Sequence, residues 1–213
     1  RLEALRALWL REIRRLGYRG KPVSDDLVDD AYEMLCSHSA QQSTVPSVRP
    51  ISARRNLTLA EVYSPDTSVA NGSSIALILS AGLARVLLLG DAWAEDVYAE
   101  LKRRNPGAEQ LTFSAIKIAH HGSIHNTSPA LLTLIDASCY LISTNGSRHS
   151  HPDFEVLAAI VDRPADFERK LYFNYETEAV QRMRSYSSKA GARFSVHVVN
   201  DEWIHLGDVN YDG

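Results

Sequence analysis

The first residues of the chain have the apolar spacing of an amphipathic helix. Large apolar side chains recur at intervals of three and four residues, at Leu2, Leu5, Trp9, Ile13 and Leu16. This period places them on one helical face and Gly17 is a typical C-terminal cap, so the pattern predicts a helix over residues 2–16. Ser24 is placed to cap a second helix over 25–36, and a Ser-, Pro- and Gln-rich connector follows at 37–55.

From residue 56 onward, short β-type runs alternate with helical runs. The apolar stretch at 57–63 predicts a strand, and the stretches at 75–80 and 85–89 predict a hairpin that turns at Gly82. The other predicted strands are 113–118, 138–143, 170–173, 194–199 and 202–206, and the predicted helices are 94–104, 129–136, 153–162 and 177–189. This order favours a layered α+β or α/β domain in which helices cover a sheet.

The composition is that of an ordinary globular protein. Of 213 residues, 45% are apolar and 23% are charged, which excludes disordered, collagen-like and coiled-coil classes. The longest apolar stretches, 75–79 and 86–89, are far shorter than the roughly 20 residues that span a bilayer, so no membrane segment is expected. Cys36 and Cys139 fit neither a zinc site nor a disulfide framework, so both are expected to be buried thiols. A cytoplasmic location is expected from this cysteine use.

Charge is distributed unevenly along the chain. Residues 1–21 contain seven Arg or Lys and two Glu, a charge of +5, which leaves −8 for the remainder of a chain whose formal net charge is −3. The neutral total gives no electrostatic argument for a nucleic-acid or membrane partner. The basic face of helix 2–16 is either a solvated surface or a contact for a protein partner or a nucleic-acid backbone.

Side chains suited to chemistry follow three of the predicted strands. Asp91 follows one apolar run, His120 and His121 follow the next, and a third strand ends before the polar segment 144–152. Carboxylate oxygen and imidazole nitrogen are ligands that suit zinc, manganese or iron. Five of the eight histidines lie between residues 120 and 151, which favours a metal site. Adjacent side chains on an extended backbone point in opposite directions, so at most one of the paired histidines is expected to face a given metal ion.

Five segments of the chain occur in the order found in a known family. They are 71–75 (Asn-Gly-Ser-Ser-Ile), 86–91 (ending in Gly-Asp), 118–123 (Ile-Ala-His-His-Gly-Ser), 126–128 (Asn-Thr-Ser) and 151–152 (His-Pro). This series resembles the metallo-β-lactamase-fold hydrolases, and most closely their ComEC-type hydrolase-domain subgroup. The resemblance spans roughly residues 57–206. It implies an αββα sandwich whose C-terminal portion is residues 56–213, preceded by a helical segment and connector at 1–55.

The resemblance also implies a site with two divalent metal ions, zinc or alternatively manganese. In the family, the Gly-Asp carboxylate bridges both metals, which corresponds to Asp91. The histidine that ends the following strand binds the second metal, which corresponds to His120. Together with Asp91, His121 and His151 are then the catalytic candidates, able to hold a phosphate oxygen or protonate a leaving group. His151 matches the family's His-Pro, whereas His149 is equally well explained as part of a solvated loop.

One motif of the family does not occur in this sequence. His-x-His-x-Asp-His normally precedes all of these elements, and nothing before Asp91 contains it. Residues 149–154 resemble it but end in Phe and follow the other motifs, so they are rejected. Because the helix that starts at Arg1 has no capping residue before it, the chain is expected to be the C-terminal half of a longer enzyme. The first half then lies upstream or on another chain; alternatively, the chain is a relative that has lost the site.

The sequence therefore predicts a metal-dependent hydrolase of which this chain supplies part of the site. The resemblance favours a phosphodiesterase or nuclease that acts on a phosphodiester or nucleotide substrate. The alternative is a catalytically incomplete scaffold that uses the Arg-rich helix 2–16 to bind a protein partner or a nucleic acid.

Overall fold

The computed structural model describes residues 2–15, 57–146 and 150–199, together with 203, 204 and 206. The chain divides into two units, with the boundary between Pro50 and Ile51. Several predictions lie outside the described residues, namely the helix at 25–36, the connector at 37–55, Cys36 and His149.

The described part of the first unit is one helix, α1 (Leu2–Arg15), which confirms the helix expected at 2–16. Glu3 lies in its first turn, and Arg14 and Arg15 lie in its last turn. Acidic groups near the N-terminus and basic groups near the C-terminus both interact favourably with the helix dipole.

The second unit begins with a short helix, α2 (Leu59–Val62), where the sequence predicted a strand over 57–63. That prediction was wrong because Thr58 and Glu61 form the hydrogen bonds of a helix start. The Thr58 backbone N–H and its hydroxyl both donate to Glu61 Oε2 at 2.7 Å. The spacing Thr-x-x-Glu is the signature of a capping box, and it outweighs the apolar alternation of this segment.

The strands of the second unit form one mixed sheet whose spatial order follows the chain. The described strands are β1 (Leu77–Ala81), β2 (Ala84–Leu88), β3 (Leu111–Lys117), β4 (Ile135–Ile142), β5 (Arg169–Phe173) and β6 (Phe194–Val198). β1 and β2 form the predicted hairpin, with Gly82 in the left-handed conformation that its tight turn requires (φ 58°). The strands from β2 to β6 are parallel.

Helices connect the parallel strands: α3 (Ala94–Arg104), α4 (Pro129–Leu134), α5 (Phe154–Val161) and α6 (Glu178–Arg184). Each connects neighbouring strands in the same direction along the sheet, and right-handed crossovers then place all four on one face. Contacts of α3 with α4, α4 with α5 and α5 with α6 agree with a single helix layer. None of the described helices combines the length and apolar character needed to cross a membrane.

The opposite face of the sheet is partly open at the β1 end. The strand register places Leu77, Leu79, Val86 and Leu88 on one face, together with Leu141 of β4. Leu77 is 48% exposed and Leu79 is 51% exposed, whereas the fully buried Ile116 of β3 lies on the helix-covered face. The sheet therefore has one face covered by helices and one face that retains an exposed apolar margin.

The helix at 94–104 is confirmed with the bounds expected, and the remaining predicted elements are confirmed with shorter, longer or shifted bounds, with one exception. The helices at 129–136 and 177–189 are confirmed as α4 and α6, which end earlier than expected. In the predicted strand 202–206, the described residues Trp203, Ile204 and Leu206 lie in no strand. Cys139 is buried, as expected, and its burial raises the pKa of its thiol.

Candidate functional site

The carboxyl ends of three parallel strands lie at one edge of the sheet, and the candidate residues are found there. β2 continues through Gly90 into Asp91, and β3 continues into a 3₁₀ turn that contains His120 and His121. The backbone N–H of His120 donates to Gly90 O at 2.8 Å, which joins the two strand ends directly. Gly90 has a positive φ of 54°, and a Cβ there would lie 3.0 Å from the Ile75 carbonyl oxygen, so this close approach favours glycine.

The paired histidines do not have the extended backbone on which the sequence argument relied. Both have left-handed conformations, with φ 41° at His120 and φ 59° at His121. The premise of an extended backbone at this pair was therefore wrong, and the two ring centroids lie 6.1 Å apart. Left-handed non-glycine residues cost about 1–3 kcal/mol each and cluster at active and ligand-binding sites.

His151 lies beside this pair. Its ring centroid is 5.6 Å from that of His120 in an edge-on arrangement. Asp153 connects the two loops, because its Oδ2 accepts the Ile124 N–H at 2.8 Å and lies 3.4 Å from His151 Nδ1. The structure thus brings together three of the sequence-predicted residues, His120, His121 and His151.

A hydrogen bond of the exposed His121 defines which of its two ring nitrogens carries the proton. Its Nδ1 is hydrogen-bonded to the backbone carbonyl oxygen of Ser143, at the end of β4. A carbonyl oxygen only accepts, so Nδ1 carries the proton and Nε2 of the neutral ring carries the lone pair. His121 therefore presents a basic nitrogen that can accept a proton or bind a cation.

Sequence reasoning missed a carboxylate on the loop between α2 and β1. Asp66 Oδ2 accepts from Asn71 Nδ2 at 2.6 Å and from Asn126 Nδ2 at 2.8 Å, and its Oδ1 accepts the Ser68 N–H at 2.7 Å. Burial raises the pKa of Asp66, but these hydrogen bonds and the nearby His120 outweigh it, so its pKa lies below the ordinary value. Asn71 and Asn126 both belong to the motif series, but the sequence assigned them no partner.

A lysine at the end of β3 was also missed. Lys117 is half-buried, and its Nζ donates to the Ile118 carbonyl oxygen at 3.2 Å. Burial lowers the pKa of Lys117, and the Asp91 carboxylate opposes that shift, so the two charges interact across the strand ends. The parallel pairing of β2 with β3 is what brings Lys117 close to Asp91. It places Lys117 beside Leu88, and Leu88 lies three residues before Asp91.

Trp93 supports the loop that carries Asp66. Its indole N–H donates to the Ser68 carbonyl oxygen at 3.0 Å, and a Cβ at Gly72 would lie only 2.6 Å from its ring. These contacts place Trp93 beside the loop as a packing residue.

The donor types at this edge fit a divalent cation, but the described residues do not form a complete metal centre. Within the described parts of the chain, no group of three or more His, Cys, Asp and Glu side chains is placed to hold a metal ion. Catalytic zinc sites use about three protein ligands and structural sites about four. Asp91 and His120 would therefore supply only part of a ligand set.

Comparisons with known proteins identify no relative of this chain: no family model, curated protein or solved structure matches it.

Proposed function

We propose that this chain contributes to the active site of a metal-dependent hydrolase of the metallo-β-lactamase type, with Asp91 and His120 as two of its metal ligands. The strongest support for this proposal is that three imidazoles lie together at the sheet edge where β2 leads into Asp91. Two of these histidines have left-handed backbone conformations. Such strain persists only where the surrounding structure maintains it, which is typical of functional sites.

The architecture supports the same class of protein. A sheet with helices on one face and exposed leucines, Leu77 and Leu79, on the other has the layering of one half of an αββα sandwich. On this proposal, the remaining metal ligands come from another part of the protein or from another chain. That part would also cover the open face.

The charges at the edge favour an anionic substrate, for which we propose a phosphodiester. The half-buried Lys117 provides a cation beside Asp91 that would attract a phosphate group. The exposed His121, with its basic Nε2, would accept or return a proton during hydrolysis, and His151 would hold a substrate oxygen. Two metal ions, zinc or manganese, would supply the activated hydroxide when they are bound.

The test is to express the whole protein encoded by the gene, and to measure its metal content and its hydrolysis of a phosphodiester or nucleic acid. Asp91→Ala is expected to lower metal affinity by more than about 100-fold, since even residues that only support ligands contribute about 10–100-fold. Asp166→Ala is the matched control, because Asp166 is exposed and has no role at this edge. Unchanged metal content and turnover in Asp91→Ala would contradict the proposal.

A second candidate function is a scaffold that binds a partner, and the incomplete ligand set among the described residues favours it. The basic helix α1 would then bind a protein or a nucleic-acid backbone. Metal analysis of the 213-residue chain tests this candidate. Stoichiometric, tightly bound zinc would count against the scaffold, because Asp91 and His120 alone provide too few ligands.

A further inference from the structure

The fully buried side chain of Asn126 connects three parts of the candidate site. Its Nδ2 group donates to Asp66 Oδ2 at 2.8 Å and to the Asp91 carbonyl oxygen at 3.1 Å, with the Ala92 carbonyl oxygen at 3.4 Å. Its Oδ1 lies 2.9 Å from Nδ1 of His120. Asn126 thus links the loop after α2, the end of β2 and the end of β3.

These partners allow only one orientation of the Asn126 amide. All three groups around Nδ2 are oxygens that accept hydrogen bonds, and one of them is a carboxylate. If the amide were rotated by half a turn, Oδ1 would face those oxygens and lose every hydrogen bond on that side. In a buried position, such a loss costs about 1–3 kcal/mol for each unsatisfied group. Oδ1 must therefore face His120.

We infer that Asn126, held by Asp66, is a positioning residue that fixes the neutral His120 ring with its proton on Nδ1 and its lone pair on Nε2. An amide oxygen only accepts, so the Nδ1 that faces it at 2.9 Å has to donate. The nearby Asn71 Nδ2 lies 3.4 Å from the same nitrogen, but its short bond is to Asp66 at 2.6 Å. The opposite tautomer would bring the lone pair of Nδ1 against the Asn126 oxygen.

The consequence is a basic Nε2 on His120 before any cation or substrate binds. His121 has the same tautomer for a different reason, its bond to the Ser143 carbonyl oxygen. The site therefore has two adjacent imidazoles that each present Nε2 as a base or ligand. Only the use of this nitrogen as a metal ligand rests on the proposed function; the tautomer itself does not.

The test is ¹⁵N NMR of the metal-free chain, with two-bond ¹H–¹⁵N correlations recorded at about pH 8, where ordinary histidines are neutral. In the wild type, His120 is expected to show a protonated, pyrrole-type Nδ1 and an unprotonated, pyridine-type Nε2. In Asn126→Ala, His120 is expected to lose this single tautomer and show a mixture. His121 is the internal control, because the Ser143 carbonyl is unchanged and its Nδ1–H tautomer should persist.

Asn105→Ala is the matched control variant, because Asn105 caps the end of α3 and does not contact His120. It should leave the His120 signals unchanged. A proton on Nε2 of wild-type His120 would overturn the inference, and this measurement needs no variant. A retained Nδ1–H tautomer in folded Asn126→Ala would also overturn it.

Zinc titration of the whole protein distinguishes a failure of the proposed metal site from a failure of the positioning role of Asn126. If the tautomer is as expected but His120→Ala binds zinc as tightly as the wild type, the proposed function fails and the positioning role of Asn126 stands. If Asn126→Ala weakens zinc binding while the tautomer is unchanged, the positioning role fails and the metal site stands.

Discussion

Two polar clusters lie at opposite ends of the parallel strands, and they differ in how many of their hydrogen-bond donors and acceptors have partners. One surrounds Asp136 near the start of β4 and Arg169 at the start of β5, both almost fully buried. The other surrounds Asp66, Asn126 and His120 at the carboxyl ends of β2 and β3.

The first cluster is closed. Asp136 Oδ1 accepts from Arg169 Nε at 2.9 Å, Arg163 Nη2 at 3.1 Å and the Tyr140 hydroxyl at 2.8 Å, and Oδ2 accepts from Arg169 Nη2 at 2.5 Å. Two arginines and a tyrosine thus occupy both carboxylate oxygens. No group is left over to bind or transform a ligand, so this cluster has a structural role.

The second cluster is open. Asn126 and the Ser143 carbonyl occupy Nδ1 of His120 and His121, while Nε2 of each ring has no hydrogen-bond partner among the described residues. It also contains left-handed backbone, which costs free energy. Both clusters are dense in polar groups, but only the second combines unused ring nitrogens with backbone strain, the features that favour it as the candidate site.

Breaking the closed cluster should have the largest effect on stability. Asp136→Asn leaves the fully buried Arg169 without its counter-ion, so we expect a loss of about 3–5 kcal/mol in the free energy of unfolding. Urea denaturation measures it. The matched control is Glu100→Gln, which removes the exposed pairs with Arg103 and Arg104 and should cause no measurable change. Equal stability of the two variants would contradict a structural role for Asp136.

The same cluster should make stability depend on acid pH. Burial raises the pKa of Asp136, but the hydrogen bonds and charges of Arg169 and Arg163 outweigh it, so its folded pKa lies below the ordinary value. The unfolded chain then takes up the proton first, at about pH 4. The stabilisation is therefore present above about pH 4 and is lost as the pH falls through the lower folded pKa.

Asp66 has a lowered pKa and should contribute with the same sign. Denaturation curves recorded from neutral to acid pH measure the combined slope. Asp136→Asn should flatten that slope, since it removes the titrating carboxyl group. An unchanged slope in that variant would show that Asp136 does not titrate differently in the folded and unfolded states.

The open cluster depends on a tight contact between two loops, and breaking this contact should have a smaller effect. A Cβ at Gly122 would lie 2.7 Å from Pro152 Cβ, on backbone with φ 90°. We expect Gly122→Ala to cost about 2 kcal/mol and to displace His151. Gly82→Ala is the control, because Gly82 also has positive φ but nothing lies within 4 Å of its Cβ position.

For Gly82→Ala we expect only the cost of the left-handed conformation, about 1 kcal/mol. Thermal or urea denaturation compares the two variants, and the NMR signals of His151 report its displacement. Equal losses for both glycines would show that the contact with Pro152 is not required.

Local patterns allowed much of the sheet to be predicted from the sequence. Gly82 between two apolar runs correctly predicted the hairpin, and the alternation of runs correctly predicted α3 and β3 to β6. The prediction of a strand at 57–63 was wrong because it relied on the apolar leucines of this segment and overlooked the capping-box pattern of Thr58 and Glu61.

The candidate site was only partly predictable. Strand ends identified Asp91 and His120, because a buried run that stops at a polar residue is a local signal. Asp66 could not be found in this way, since long-range hydrogen bonds connect it to the site: it accepts one from Asn126, and its backbone N–H donates to the His125 carbonyl oxygen at 3.1 Å. The left-handed conformation of His121 was equally hidden, because positive φ is uncommon even for histidine, although histidine is enriched there relative to most residues.

The smallest predicted effect tests whether the strain in the open cluster is real. His121→Gly removes the hydrogen bond to Ser143 and adds unfolded-state entropy, but it also relieves a left-handed conformation with φ 59°. His125→Gly loses comparable contacts of Nδ1, with the Ser64 carbonyl oxygen at 2.9 Å and the Ser64 hydroxyl at 3.0 Å, without such relief, since His125 has no positive φ. We expect His125→Gly to be the less stable variant by about 1 kcal/mol, the cost of one left-handed residue. Urea denaturation of both variants measures the difference. If His121→Gly is as unstable as His125→Gly, the backbone at His121 stores no strain, and the open cluster differs from the closed one only in its unused nitrogens.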